Sequence, residues 1–141
     1  MSTSVVADAS VALKWVVTEA GSEQANTLLS DLANGTITIV APAHLVGEVA
    51  NGLRKRVSQG VLSRDDALAA IDTLDALELD YLVDSARWFR TLRAAMDWQV
   101  TTYDALYVLL ALDVAGELVT GDARLVEAAR ANSLPVRPLT P

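Results

Sequence analysis

Residues 4–10 read Ser-Val-Val-Ala-Asp-Ala-Ser, and this stretch decides the fold. The short apolar run Ser4–Ala7 is bounded by polar residues and predicts a buried strand. From Ala9 to Val17 the apolar residues instead recur at helical spacing, so a helix follows the strand almost without a loop. Asp8 therefore lies where a strand ends and a helix begins.

The same alternation of short strands and longer helices continues along the chain. The remaining predicted strands are Thr36–Ala41, Leu79–Val83, Leu118–Thr120 and Pro135–Arg137. The remaining predicted helices are Ser22–Ala33, Pro42–Gly60, Ser63–Ala76, Ser85–Met96, Thr101–Ala115 and Ala123–Ala131, with Gly116 as the C-terminal cap of the long apolar one. Strands separated by helices pair in parallel, with helices on both faces. We therefore expect an α/β fold in three layers, with ligands bound at the carboxyl ends of the strands of a central parallel sheet.

The composition bounds the domain organisation and excludes several function classes. Of the 141 residues, 52% are hydrophobic and 21% are charged, which is typical of a globular protein and not of a disordered one. No stretch is rich enough in Pro, Gly or Ser to be a linker, so residues 1–141 are expected to form a single domain. Cysteine is absent, which excludes disulfides, thiolate metal sites and cysteine nucleophiles. The one histidine, His44, is expected on a helix surface, and chemistry that needs two imidazoles is excluded.

No segment of the sequence predicts a membrane span or a secretory signal. The longest apolar run, Leu106–Leu112, is far shorter than the roughly 20 residues that a membrane span needs. The N-terminus lacks a basic region ahead of its apolar residues. We therefore expect a cytoplasmic protein with no membrane partner.

The net charge of −7 argues against a passive nucleic-acid binder, because phosphate affinity rests on basic residues. An enzyme that meets phosphate through a metal ion remains compatible with it. The positions of the carboxylates therefore matter more than their total.

Four carboxylates are candidates for one site: Asp8, Glu48, Asp104 and Asp122. Asp8 directly follows a predicted strand, and Asp122 follows one after Gly121. Asp104 lies in the first turn of its helix, and Glu48 lies inside a helix without a basic residue at i+3 or i+4. Two unit charges about 5 Å apart repel by roughly 3 kcal/mol at an effective dielectric near 20, and a divalent cation would offset that repulsion. Oxygen-only ligands favour Mg²⁺ or Mn²⁺ over zinc.

A purely structural interpretation of the same residues stays open. Asp8 and Asp122 are also well placed as helix N-caps, and Asp104 as the acidic member of a capping box with Thr101. Glu48 is also compatible with a plain solvated glutamate.

Taken as a set, four motifs resemble one known family. They are Val-Val-Ala-Asp-Ala-Ser at 5–10, Leu-Val-Gly-Glu-Val-Ala-Asn at 45–51, Tyr-Asp-Ala-Leu-Tyr at 103–107 and Val-Thr-Gly-Asp at 119–122. In order and spacing they resemble the PIN-domain ribonucleases, and among these the VapC-type toxins of bacterial toxin–antitoxin pairs.

This resemblance implies a PIN-like fold and a metal-dependent endoribonuclease that leaves 5′-phosphate and 3′-hydroxyl ends. It implies that the acids at positions 8, 48, 104 and 122 are catalytic and hold Mg²⁺ or Mn²⁺. Ser10 and Thr120 match small hydroxyl positions beside that site, and Asn51 is taken as a further supporting residue. It also implies an RNA substrate, a cognate antitoxin that covers the acids, and a homodimer, for which the apolar helix Thr101–Ala115 offers a surface.

Two groups of basic residues are candidates for RNA binding, namely Arg54 and Lys55, and Arg87, Arg90 and Arg93. A solvated charged face explains them equally well. The tryptophans Trp15, Trp88 and Trp98 are expected in the core or in an interface rather than as stacking platforms for bases.

Two other functions compete with the nuclease. An acidic receiver-like signalling module would need a lysine after a late strand, and neither Lys14 nor Lys55 follows one. A degenerate PIN fold that only binds a partner would lack cleavage, although all four acids are present.

Overall fold

The computed structural model describes residues 2–83 and 85–139. Its strands are β1 Thr3–Ala7, β2 Ile37–Pro42, β3 Asp80–Leu82, β4 Glu117–Thr120 and β5 Val136–Pro138. Its helices are α1 Ala9–Val16, α2 Ser22–Ala33, α3 His44–Ser58, α4 Arg64–Ala76, α5 Ser85–Trp88, α6 Thr91–Trp98, α7 Thr102–Asp113 and α8 Ala123–Ala131.

The strands form one five-stranded sheet in the order β3-β2-β1-β4-β5, and every pairing is parallel. This confirms the predicted α/β class with a central parallel sheet. β1 lies at the centre, and Ala7 pairs with Val119 of β4. The next residues along these two strands, Asp8 and Thr120, therefore lie side by side at the carboxyl edge of the sheet.

Helix α7 packs across the middle of the sheet, against β1, β2 and β4. Its residues from Ala105 to Ala111 are all buried, so it is apolar on nearly every face. Core packing within the chain thus accounts for the apolar pattern of Thr101–Ala115. That pattern gives no evidence for a dimer contact.

Three details of the predicted elements are wrong. Pro42 pairs with Leu82 as the last residue of β2, and the following helix begins only at His44. The predicted helix Ser85–Met96 is two helices, because the chain turns between Trp88 and Thr91, where the Thr91 hydroxyl donates to the Trp88 carbonyl oxygen. The apolar spacing of the predicted helix Ser85–Met96 alone does not reveal that turn.

The third error concerns the end of α7. The left-handed residue there is Ala115, with φ of 52°, and not Gly116. Gly116 is instead required by a close approach, because a Cβ at this position would lie 2.3 Å from the backbone oxygen of Ser4 in β1.

Within the described ranges, none of the helices is long and apolar enough to cross a membrane.

Candidate active site

Asp8 ends β1 and is buried, with 6% of its surface exposed. Its Oδ1 accepts hydrogen bonds from Ser10 Oγ at 2.5 Å and from the Val11 backbone N–H at 3.3 Å, and Asp8 is thereby the N-cap of α1. Its Oδ2 accepts a hydrogen bond from Thr120 Oγ1 at 2.5 Å. Both carboxylate oxygens of this residue are therefore held by the protein.

Burial raises the pKa of Asp8, because it removes the charged form from water. The hydrogen bonds from Ser10, Thr120 and Val11 lower the pKa, but they do not cancel the effect of burial. The negative charge of Glu48 raises it further. The site thus destabilises the charge on its most buried carboxylate.

The hydroxyls of Ser10 and Thr120 also join the ends of β1 and β4. Ser10 Oγ accepts a hydrogen bond from the Gly121 backbone N–H at 2.8 Å, and Thr120 Oγ1 accepts one from the Asp122 N–H at 3.0 Å. Asp122 Oδ1 in turn accepts from the backbone N–H groups of Arg124 and Leu125, so Asp122 is the N-cap of α8. The capping interpretation is right for Asp8 and Asp122, and it is compatible with a functional site at the same place.

Asp104 lies in the first turn of α7, where Thr101 is the N-cap and accepts the Asp104 N–H at 3.1 Å. The pKa of Asp104 is raised from 3.8 to about 6, chiefly by burial and against the lowering effect of a hydrogen bond with Thr101. The charges of the three other acids, Asp122, Asp8 and Glu48, each raise this pKa further. The other three carboxylates therefore lie within electrostatic reach of Asp104.

Glu48 lies on α3 and is half-buried. Its Oε1 accepts a hydrogen bond from the Tyr107 hydroxyl at 2.8 Å, and His44 Nε2 lies 2.9 Å from the same oxygen. Burial raises the pKa of Glu48, but the contacts with His44 and Tyr107 outweigh it, and the net pKa is lowered. Both contacts use Oε1, and no hydrogen bond to Oε2 is found within residues 2–83 and 85–139.

The predicted surface position of His44 is wrong. Its ring packs among three aromatic rings, with centroids 5.1 Å from Trp88, 6.1 Å from Tyr103 and 5.0 Å from Tyr107. The apolar residues that α3 buries are Leu45, Val49 and Leu53, while Val46 and Ala50 are exposed. His44 directly precedes this buried face and packs against α5 and α7.

The donor set fits a hard divalent cation in its chemistry, because it consists only of carboxylate oxygens that repel one another. Glu48 and Asp122 each have an oxygen that no capping or ring contact uses. In residues 2–83 and 85–139 no three acidic or histidine side chains are arranged closely enough to hold one ion between them.

The predicted basic candidates have other contacts. Arg87 Nε and Arg90 Nη1 both lie 2.8 Å from Asp113 Oδ2 at the end of α7. Arg54 Nε donates to the side-chain oxygen of Asn51 at 3.1 Å, so this oxygen of the predicted supporting residue is engaged on the exposed side of α3. Lys55 and Arg93 are exposed.

Sequence reasoning missed Arg124. A cleft of about 340 Å³ is lined by Asp104 and Asp122 together with Thr101, and Arg124 lies on its wall. The only available signal is its position two residues after Asp122, in the first turn of α8. Tyr107 was missed because its partner Glu48 lies on a separate helix, whereas the position of His44 four residues before Glu48 on α3 was an available signal.

The sequence model of the family described as "PIN domain" matches residues 5–131. The chain is 39% identical over 92 residues to ribonuclease VapC1 of Mycobacterium tuberculosis, an alignment that covers 62% of this chain and 65% of that protein. It is 34% identical over 127 residues to ribonuclease VapC3 of Pyrobaculum aerophilum, covering 87% of this chain and 92% of that protein. The chain thus aligns with slightly less than two thirds of the length of VapC1.

Among solved structures, the fold is similar to the crystal structure of PAE2754 from Pyrobaculum aerophilum. The TM-score is 0.70 at 20% sequence identity, and the match covers 89% of this chain and 79% of that chain. At this identity the likeness concerns the fold alone.

Proposed function

The chain belongs to the PIN-domain family, and on that premise we propose that it is an endoribonuclease that acts as the toxin of a toxin–antitoxin pair. The observation that carries the proposal is the electrostatic effect on Asp104 of three carboxylates from other elements, Asp8, Glu48 and Asp122. Helix capping alone does not explain Glu48 or Asp104, because neither residue is an N-cap. Relatives named as ribonucleases support the reaction class.

We propose that Asp8, Asp104 and Asp122, with Glu48, hold Mg²⁺ or Mn²⁺. When bound, such a cation supplies a water of lowered pKa and stabilises negative charge on the phosphate. The bound cation would at the same time offset the mutual repulsion of the carboxylates.

The chain's own residues position the reactants. Ser10 and Thr120 fix Asp8 through both of its oxygens, so this carboxylate has one orientation. Glu48, held through Oε1, presents its other oxygen either as a ligand or to orient the attacking water. The water oxygen attacks phosphorus in line, the P–O3′ bond breaks, and the products carry a 5′-phosphate and a 3′-hydroxyl.

Positively charged side chains beside the acidic edge are needed to bind the phosphates of RNA. Arg124 lines the cleft with Asp104 and Asp122, and its guanidinium can pair bidentately with a phosphate. We therefore propose Arg124 as a phosphate contact. Arg54, Lys55, Arg87, Arg90 and Arg93 remain proposed contacts for more distant parts of the RNA.

The acidic edge also suits the proposed antitoxin. A segment that presents an arginine or lysine to the four acids, with apolar anchors beside it, would block both cation and RNA. We propose this mode of inhibition, a homodimer, and action in the cytoplasm. A receiver-like module is not favoured, because Lys14 lies on α1 and pairs with Glu19 at 3.3 Å.

The proposal is tested by incubating purified, antitoxin-free protein with labelled RNA and Mn²⁺. We expect cleavage that EDTA abolishes and that yields 5′-phosphate ends. Cleavage that persists in EDTA, or 2′,3′-cyclic phosphate products, contradicts the metal-dependent reaction. A folded protein that cuts no RNA supports the degenerate binding module.

A further inference from the structure

Helix α6 buries one of its faces against the neighbouring helix. Ala94 and Ala95 form a small apolar cluster with Ala105 and Leu109 of α7. This packing determines which side of α6 points away from the molecule.

The outward side carries three large apolar side chains. Phe89, Leu92 and Met96 are 88%, 62% and 66% exposed, and we call them the apolar stripe. Their spacing of three and four residues is that of one helix face, and Phe89 lies just before α6 begins. The other exposed large apolar residues of the described ranges lie at least seven positions apart along the chain: Val46, Val61, Leu68, Val83, Tyr103 and Leu112. Scattered apolar residues are normal on a surface, whereas a contiguous group of them indicates an interaction surface.

A groove of about 450 Å³ lies beside the apolar stripe. Ala94, Trp98 and Leu109 form its apolar lining, and the exposed Phe89 borders it. A projecting aromatic ring and an apolar recess thus lie next to each other on one surface.

Two opposite charges, Arg93 and Asp97, lie on the same surface. Both are exposed, and both border the groove. They are four residues apart on α6, but in an order that is the less favourable one for pairing within a helix. Within residues 2–83 and 85–139 neither of them makes an ion pair. Both charges are therefore available to a partner.

We propose that the apolar stripe is a two-fold interface with a second copy of this chain, in which the two α6 helices pack antiparallel. A two-fold interface uses the same patch on both subunits, so this patch must complement itself. The α6 surface meets this requirement in shape, because it contains both the projecting ring and the recess.

The charges complement themselves in the same arrangement. In an antiparallel pair centred midway between Arg93 and Asp97, each arginine faces the aspartate of the partner subunit. The same alignment brings Leu92 of each copy next to Met96 of the other. A partner of uniform charge would leave one of the two charged side chains unmatched. This assignment replaces RNA as the partner of Arg93.

The inference rests on the homodimer of the proposed function and adds the surface that forms it. The sequence favours Thr101–Ala115 for that contact, but this helix is largely buried within the chain. Helix α6 offers an exposed surface instead.

The first test measures the dimer dissociation constant of metal-free protein, without RNA or antitoxin, by sedimentation equilibrium. We expect a dimer for wild type. Phe89→Ala should weaken it by about 30-fold, which is typical of an aromatic residue at the centre of an interface. Leu68→Ala, at an exposed position of α4, is the matched control and should leave the dimer unchanged.

The second test reverses the two charges. Arg93→Asp and Asp97→Arg each create two symmetric pairs of like charge, so each should weaken its own dimer by roughly 10-fold. Each new charge suits its end of α6, acidic near the N-terminus and basic near the C-terminus, so folding is not impaired. An equimolar mixture of the two variants should dimerise like wild type, because the acidic pair of one chain then faces the basic pair of the other.

The outcomes separate this surface from the rest of the proposed function. Weakening of both single variants with recovery in the mixture upholds the antiparallel α6 interface, and weakening without recovery overturns it. Wild-type dimers in Phe89→Ala and in both charge variants overturn the surface and leave the homodimer to another one. A monomeric wild type overturns both and leaves the apolar stripe to the antitoxin, whose binding Phe89→Ala would then weaken. Cleavage of RNA by wild type decides the nuclease proposal independently of these results.

Discussion

Tyr107 donates a hydrogen bond to Glu48 Oε1 over 2.8 Å, although the two residues are 59 positions apart in the chain. Tyr107 is buried on α7, and Glu48 projects from α3 on the other side of the contact. His44 approaches the same oxygen. These two contacts hold Oε1 of a half-buried carboxylate and thereby restrict its orientation.

The first prediction concerns a variant that lacks only the Tyr107 hydroxyl. Tyr107→Phe keeps the buried ring but releases Glu48, and loss of a residue that orients a metal-site carboxylate typically costs about 10–100-fold in activity or metal affinity. We expect weaker Mn²⁺ binding, measured by calorimetry, together with slower RNA cleavage. Tyr81→Phe, on β3, is the control and should behave as wild type. Equal Mn²⁺ affinity in Tyr107→Phe and wild type would contradict a positioning role.

The second prediction concerns the hydroxyl that holds Asp8. Thr120→Val has nearly the same shape, but it leaves Asp8 Oδ2 buried without a partner, which costs about 1–3 kcal/mol in a protein interior. We expect the free energy of unfolding in urea at pH 7 to fall by this amount. Thr38→Val, at an exposed position of β2, is the matched control. Unchanged stability of Thr120→Val would show that Asp8 does not depend on this hydrogen bond.

The third prediction is a pH dependence of the metal-free protein. Burial and the neighbouring acids raise the pKa of Asp104 from 3.8 to about 6, so between these values the folded state binds more protons than the unfolded state. The contribution of Asp104 to the free energy of unfolding is therefore greatest below pH 4 and is lost as the pH rises through 6. After solvent screening the loss is on the order of 1 kcal/mol.

Asp104→Asn should remove this dependence. In EDTA we expect it to raise the Tm at pH 7 and to leave the Tm at pH 4 nearly unchanged, because the amide has no charge to lose. Asp72→Asn removes the same charge from an exposed position on α4 and should shift neither value appreciably. A lower Tm for Asp104→Asn at pH 7 would mean that the carboxylate stabilises the metal-free fold.

The fourth prediction compares two glycines. Gly116→Ala places a methyl group against the Ser4 backbone oxygen, which cannot move without disturbing β1, and overpacking of this kind costs about 1–3 kcal/mol. Gly47→Ala, within α3, meets nothing within 4 Å and should stabilise the protein by up to about 1 kcal/mol. Opposite changes in the urea midpoint check both. A Gly116→Ala variant as stable as wild type would contradict the close contact with Ser4.

Local signals were sufficient to predict much of the fold. The bounds of α2 and α8 agree with the predicted Ser22–Ala33 and Ala123–Ala131, because cap residues delimit both periodic stretches. Asp8 and Asp122 were predicted at the sheet edge because Asp8 directly follows β1 and Asp122 follows β4 after a single glycine. Periodicity is insufficient where the chain turns within an apolar pattern, as it does between α5 and α6.

The surroundings of Glu48 could not be predicted in this way. Whether His44 faces solvent depends on how α3 is rotated about its axis. Leu45 and Val49, or Val46 and Ala50, could equally well form the buried face according to the sequence, and these two faces differ by about one residue. Its ring partners come from α5 and α7, and only the tertiary packing brings them together. The cleft of Arg124 likewise forms between α7 and α8, so no single stretch of sequence indicates it.

The most direct test of the shared acidic site is the single-turnover rate of RNA cleavage in Mn²⁺ by wild type, Asp8→Asn and Asp104→Asn, each shown to unfold cooperatively. Asparagine caps a helix about as well as aspartate, so a purely capping role predicts unchanged rates. We predict that both variants fall to the rate observed in EDTA, because each removes a carboxylate from the proposed cation site. A wild-type rate in either variant would contradict the assignment of that carboxylate to the site.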